Sequence, residues 1–197
     1  MKPIKFYYDF LSPYSYMALS QLPNLASRLN RALEFKPINV LALMERVGNQ
    51  PTTVLCDAKL AYALDDLARW SAFYDVPFTP NPHLGAIDSE PLLLGALAAD
   101  KLGVIQEYTR AVFNAYWVNQ ARFNDTSELF DVLDNADVPG AKVIVESHSD
   151  YADQLEQNIT DAVSEGIFGV PSFGTEAGLF FGNDRLEFMA QALTERT

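Results

Sequence analysis

A short apolar and aromatic run, Phe6-Tyr-Tyr-Asp-Phe-Leu11, halts at Ser12-Pro13 and is followed by apolar residues at Tyr14, Met17, Ala18, Leu22 and Leu25, the spacing of one helix face. The pattern changes from strand to helix within two residues. Serine is a favoured N-cap, and proline suits the first helical position because its missing N–H would have had no intrahelical partner there. The junction reads as strand, turn and helix start, with Ser12 at a helix N-terminus and at the carboxyl end of a strand. In open α/β sheets ligands bind at such ends, and unpaired N–H groups together with the helix dipole favour an anion. Taken alone, Ser12-Pro13 is also simply a good helix cap.

The rest of the chain can be tested against that junction. Residues 3–9 read as a buried strand and Tyr14 to about Arg28 as a helix with Pro23 as an interior kink. Glu34 to Val40 reads as a second strand. From Asp57 to about Glu165 the periodicity is helical: Asp57–Phe73, then the proline-rich connection Val76-Pro-Phe-Thr-Pro-Asn-Pro-His83, then Pro91–Leu102, Ile105–Val118, Ser127–Asn135, Gly140–His148 and Tyr151–Glu165. The last residues revert to strand and turn. Gly169–Gly174 and Gly178–Gly182 bracket a short loop as a β-hairpin, and Asn183-Asp184 reads as the cap of a final helix, Arg185–Glu195. The order is β-α-β, a helical block, then β-β-α.

Composition narrows the function classes. A net charge of −12 and a pI near 4.4 leave no basic cluster for a nucleic-acid backbone or an anionic membrane. The longest aliphatic stretch, Pro91 to Ala99, falls far short of the about 18 residues of a membrane span. The single cysteine, Cys56, allows no intrachain disulfide and no Cys-x-x-Cys pair, and reads as a small buried hydrophobe. With no signal-like core at the N-terminus, the sequence points to a soluble, cytoplasmic protein. The two histidines, His83 and His148, lack ligand spacing, so no metal site is expected.

Four segments carry a resemblance. Asp9-Phe-Leu-Ser-Pro-Tyr-Ser-Tyr16, Val47-Gly-Asn-Gln-Pro51, Gly166-Ile-Phe-Gly-Val-Pro-Ser-Phe173 and Phe180-Phe-Gly-Asn-Asp-Arg-Leu186 resemble, in order and spacing, the family of 2-hydroxychromene-2-carboxylate isomerase and kappa-class glutathione transferase. The resemblance runs essentially end to end. It implies an α/β, thioredoxin-like fold of the DsbA type with a large all-helical insertion, residues 1–56 and 166–197 forming the thioredoxin-like part and 57–165 the insertion. Ser12-Pro-Tyr-Ser15 then stands where a disulfide oxidoreductase has Cys-x-x-Cys, so both sulfurs are replaced by hydroxyls and a thiol must come from outside.

In that family the outside thiol is glutathione. The resemblance implies that Ser12, with Pro13 behind it, donates a hydrogen bond to the thiolate, and that Val170-Pro171, expected to be cis, pairs its backbone with the cysteinyl part. It also implies that Asn183 and Asp184 hold the γ-glutamyl end. Asn49 could bind glutathione or substrate, and Lys59 could meet a carboxylate or be a solvated surface lysine. Phe10, Tyr14, Tyr116, Trp117 and Phe123 could line a pocket for an aromatic carboxylate, or be core. The implied activity is glutathione-dependent cis–trans isomerisation of 2-hydroxychromene-2-carboxylate or a relative, by a homodimer. A kappa-type transferase or peroxidase, and a redox-inactive thioredoxin-fold binding protein, are the alternatives.

Overall fold

The structure, a computed structural model, describes residues 1–84 and 87–195. Strand β1 (Ile4–Tyr8) lies between β2 (Leu33–Pro37), to which it runs parallel, and β3 (Ser172–Thr175), to which it is antiparallel; β4 (Gly178–Phe181) completes the order β2-β1-β3-β4. Side chains alternate along β1. Phe6 stands opposite Phe35 and Phe173 and stacks on Phe173 and Tyr8, with ring centres 5.7 and 5.0 Å apart. Tyr7 points to the other face, among Ile38, Leu43, Ile159 and Ala162. Both faces of β1 are therefore buried around Phe6, Tyr7 and Tyr8, which explains why three aromatic residues follow one another there.

Helices α1 (Pro13–Arg28), α2 (Val40–Arg46), α3 (Asp57–Tyr74), α4 (Glu90–Lys101), α5 (Ile105–Trp117), α6 (Thr126–Asn135), α7 (Ala141–Ser147), α8 (Ala152–Ser164) and α9 (Leu186–Thr194) surround the sheet. One core joins Phe6, Tyr8 and Phe10 to Leu22 of α1, Leu93 of α4, Phe113 of α5 and Met189 of α9. The helices between β2 and β3 thus share their core with the sheet. Six of them start and end within a few residues of the expected positions, and α1 continues through Pro23.

Three expectations are corrected. The second strand ends at Pro37, and Asn39 Oδ1 accepts from Leu41 N and Ala42 N, both at 3.1 Å, to start α2 inside what reads as one extended run. Asn183–Arg185 form a 3-10 turn, and α9 begins only after it, without a side-chain cap. Cys56 is exposed, because it precedes α3 on the surface instead of facing the core.

Candidate active site

Ser12 caps α1. Its Oγ accepts from Ser15 N at 3.2 Å, and its own N–H donates to Asp9 O at 3.1 Å, closing the turn that leaves β1. The Ser12 hydroxyl faces Val170 O at 3.5 Å, a long approach that leaves the hydroxyl proton open to a better acceptor. The Val170–Pro171 peptide is cis. Gly182 N–H donates to Pro171 O at 2.9 Å and ties the end of β4 beside it. Gly182 sits at φ +100°, and a Cβ there would lie 2.5 Å from Asp184 Oδ1, so only glycine fits this turn.

Two cavities meet at these residues. A cleft of about 850 Å³ runs from Asn49 across Val170-Pro171 to Asn183 and Asp184, bounded on the α3 side by Tyr62, Asp66 and Trp70. An apolar pocket of about 350 Å³ adjoins it, walled by Leu11, Pro13, Val40, Leu67, Phe78 and Trp117, with Ser12 in its lining. Tyr14, Met44, Pro51, Thr53 and Val170 border both spaces. Ser12 and the start of α1 therefore lie where a polar channel opens into an apolar one.

The polar end of the cleft is acidic and holds an unused donor. Asp66 Oδ2 accepts from Tyr14 OH at 3.2 Å and Trp70 Nε1 at 3.0 Å, which fixes its carboxylate at the cleft edge. Burial first, and then the Asp66 charge, push the Tyr14 phenol above its ordinary pKa. Asp184 pairs with Arg185 at 2.6 Å. Asn183 is buried, its C=O accepts from Tyr74 OH at 3.1 Å, and its amide nitrogen has no acceptor among the described residues. A buried donor left unpaired costs free energy, so it is well matched to an arriving anion.

Ser12, Pro13, Tyr14, Asn49, Val170, Pro171, Asn183 and Asp184 thus border one connected space. Asn49 is largely committed within the fold: its amide donates to Phe168 O at 2.8 Å while Oδ1 accepts from Gln50 N. Lys59 is exposed and lies outside both linings, because α3 turns Leu60 and Ala63 to the pocket and Lys59 to solvent. Phe10 is a correction as well. It is fully buried against Tyr8, Tyr108 and Phe113, since the chain leaving β1 still faces the core. Tyr116 and Phe123 stack on one another outside the pocket lining, and of that aromatic group Tyr14 and Trp117 contribute to its wall. Asp66 escaped the sequence reading, although Tyr62, Asp66 and Trp70 recur every four residues along one helix face.

A DSBA-like thioredoxin domain model matches residues 3–194. Among curated proteins, 2-hydroxychromene-2-carboxylate isomerase of Sphingobium xenophagum is 30% identical over 98% of this chain and 99% of its own. Glutathione S-transferase kappa 1 of Caenorhabditis elegans is 28% identical over 98% of this chain and 91% of its own. Among solved structures, a 2-hydroxychromene-2-carboxylate isomerase superposes with a TM-score of 0.85 at 24% identity, covering 98% of this chain and 95% of that one. Cytosolic disulfide reductase DsbM of Pseudomonas aeruginosa shares the fold with a TM-score of 0.69 at 17% identity, over 98% of this chain and 96% of its own. With the match spanning nearly its whole length, this chain belongs to the family of 2-hydroxychromene-2-carboxylate isomerases and kappa-class glutathione transferases, built on a DSBA-like thioredoxin domain.

Proposed function

We propose that this protein is a glutathione-dependent cis–trans isomerase acting on 2-hydroxychromene-2-carboxylate or a related intermediate of aromatic degradation. The observation that carries the reading is the position of the Ser12 hydroxyl, at the helix N-terminus where the polar cleft meets the apolar pocket. The cleft fits glutathione by its chemistry. The unpaired Asn183 amide suits the γ-glutamyl carboxylate, and Asp66 and Asp184 suit its ammonium. The Val170 backbone beside Ser12 suits a peptide laid along it like a strand. When bound, glutathione supplies a thiolate for reversible addition to the double bond that isomerises.

What the chain itself contributes is stabilisation of that anion. A hydrogen bond to a charged group is worth roughly 1.5–3 kcal/mol, and one pKa unit is about 1.4 kcal/mol, so Ser12 and the α1 dipole together lower a bound thiol by about one to two units. A thiol of pKa about 8.5 then ionises near neutrality. Ser12 acts as a donor and never as the nucleophile. The apolar pocket receives the aromatic part of the substrate and excludes water from the reacting carbon atoms. Ultraviolet-monitored isomerisation of 2-hydroxychromene-2-carboxylate with and without glutathione tests this; turnover that is absent, or indifferent to glutathione, refutes it.

Similarity to the kappa transferase favours a second reading, conjugation of glutathione to an electrophile held in the same pocket. Stoichiometric loss of free glutathione during turnover selects it over isomerisation, which returns the thiol. Either activity would be exercised by a cytoplasmic homodimer. The α3 face supports a covered surface there, with Tyr62 63% and Phe73 77% exposed, and light scattering after gel filtration measures the assembly.

A further inference from the structure

Asp9, the residue after β1, is fully buried. Three donors meet its carboxylate, and none of them is a cation. Leu11 N–H donates to Oδ1 at 3.0 Å, while Val40 N–H at 2.9 Å and the Ser89 hydroxyl at 3.3 Å donate to Oδ2. These donors come from three different pieces of chain. Leu11 precedes Ser12; Val40 is the first residue of α2, whose Val40 and Met44 wall the apolar pocket; Ser89 stands at the head of α4.

We propose that Asp9 is a positioning residue for Ser12, its ionised carboxylate locking the Ser12 turn, α2 and α4 into one arrangement, so that ligand binding responds to a carboxylate the ligand never touches. The chemistry of the acceptor is the reason. An ionised carboxylate only accepts, and so matches three donors. An amide in its place must turn its NH₂ toward either Leu11 N–H or Val40 N–H, and one of the two then loses its acceptor. The Asp9 carboxyl stands at about 6, because burial pushes it up by more than the Leu11, Val40 and Ser89 hydrogen bonds pull it down, with the Asp88 charge adding to the rise. The other titratable groups coupled to it are the phenols of Tyr8 in β1 and Tyr116 in α5, both raised by burial and therefore neutral in the working range. The arrangement is accordingly complete above pH 6 and loosens below it.

The proposal rests on the glutathione reading for its ligand, so the test uses S-methylglutathione, which has no thiol to titrate between pH 5 and 8. Calorimetry on the wild type should show binding about tenfold weaker at pH 5 than at pH 7.5, the loss expected when ionisation at pKa about 6 is required for binding. Asp9→Asn should bind weakly at both pH values with no acid limb, and Ser89→Ala should move the midpoint upward, because it removes a hydrogen bond that lowers the Asp9 pKa. A folded Asp9→Asn protein with wild-type affinity and the wild-type pH profile overturns the proposal. If the wild type fails to bind S-methylglutathione at all, the glutathione reading has failed, and amide hydrogen exchange decides the positioning role. Protection lost at Leu11 and Val40 in Asp9→Asn, with β1 still protected, supports that role, whereas unchanged protection at both amides removes it.

Discussion

The buried carboxylate of Asp9 makes a stability prediction that needs no ligand. Its pKa of about 6 stands against an ordinary value of 3.8, and at about 1.4 kcal/mol per unit the difference is about 3 kcal/mol. The sign follows from proton counting. Because the folded carboxyl holds its proton more tightly than the unfolded one, the folded state binds more protons between pH 4 and 6, and the Asp9 contribution to stability falls as pH rises through that window. At neutral pH the ionised group therefore destabilises the fold by about 3 kcal/mol relative to its protonated form, reduced to the extent that the unfolded chain also perturbs it. Asp9→Asn removes the titration while leaving the rest of the −12 background almost unchanged, so the difference between the two proteins isolates this one group. Between pH 8 and pH 5 the wild type should gain on the order of 1 kcal/mol on the variant. In urea titrations with a slope of about 2 kcal/mol/M, the gap between the two midpoints should shift by roughly half a molar unit. A gap that is constant with pH, or that moves the other way, would show that the three donors solvate the carboxylate as well as water does, and the argument from burial would fall.

Ser12→Ala should bind glutathione with nearly wild-type affinity, while the bound thiol, followed by thiolate absorbance near 240 nm, titrates about one unit higher and turnover at pH 7 drops about tenfold. An unchanged thiol titration would remove Ser12 from that role. Asp66→Asn should weaken glutathione binding by about tenfold and let the Tyr14 phenol titrate closer to its ordinary value, which difference absorbance of tyrosinate can follow. Phe10→Ala should lower unfolding free energy by about 3–5 kcal/mol in denaturant titrations, since Phe10 is core; a small loss of stability with a changed substrate preference would return it to the pocket.

What could be read from the chain beforehand depended on how local its causes are. The β1–Ser12–α1 junction was legible because period, cap and proline act within a few residues of one another, and helices α3, α4, α5, α6 and α8 were legible because each repeats its apolar face over several turns. Helix α2 was not: at seven residues it shows hardly two turns, and Ile38 and Val40, buried on either side of the Asn39 cap, imitate a strand. Phe10 and Trp117 illustrate a second limit. Both are aromatic, Phe10 two residues past β1 and Trp117 the last residue of α5, yet Phe10 packs into the core while Trp117 reaches the pocket wall and donates Nε1 to Phe10 O at 3.0 Å, a distinction only the tertiary path draws.

Asp9 marks the far end of that scale. Aspartate is ordinarily a surface residue, and its donors stand 2, 31 and 80 positions away in the chain, so no window of sequence brings the four together. The segment that announces Ser12 begins at Asp9, yet it holds neither the Val40 nor the Ser89 donor that gives the carboxylate its place. The cap chemistry of Ser12-Pro13 directs a hydroxyl and a helix N-terminus at a ligand, whereas the distance of that hydroxyl from α2 and the pocket wall is fixed by a carboxylate whose burial lowers the stability of the fold at neutral pH. A group that destabilises its own protein and spans three elements beside the site is better explained by what it positions than by what it stabilises.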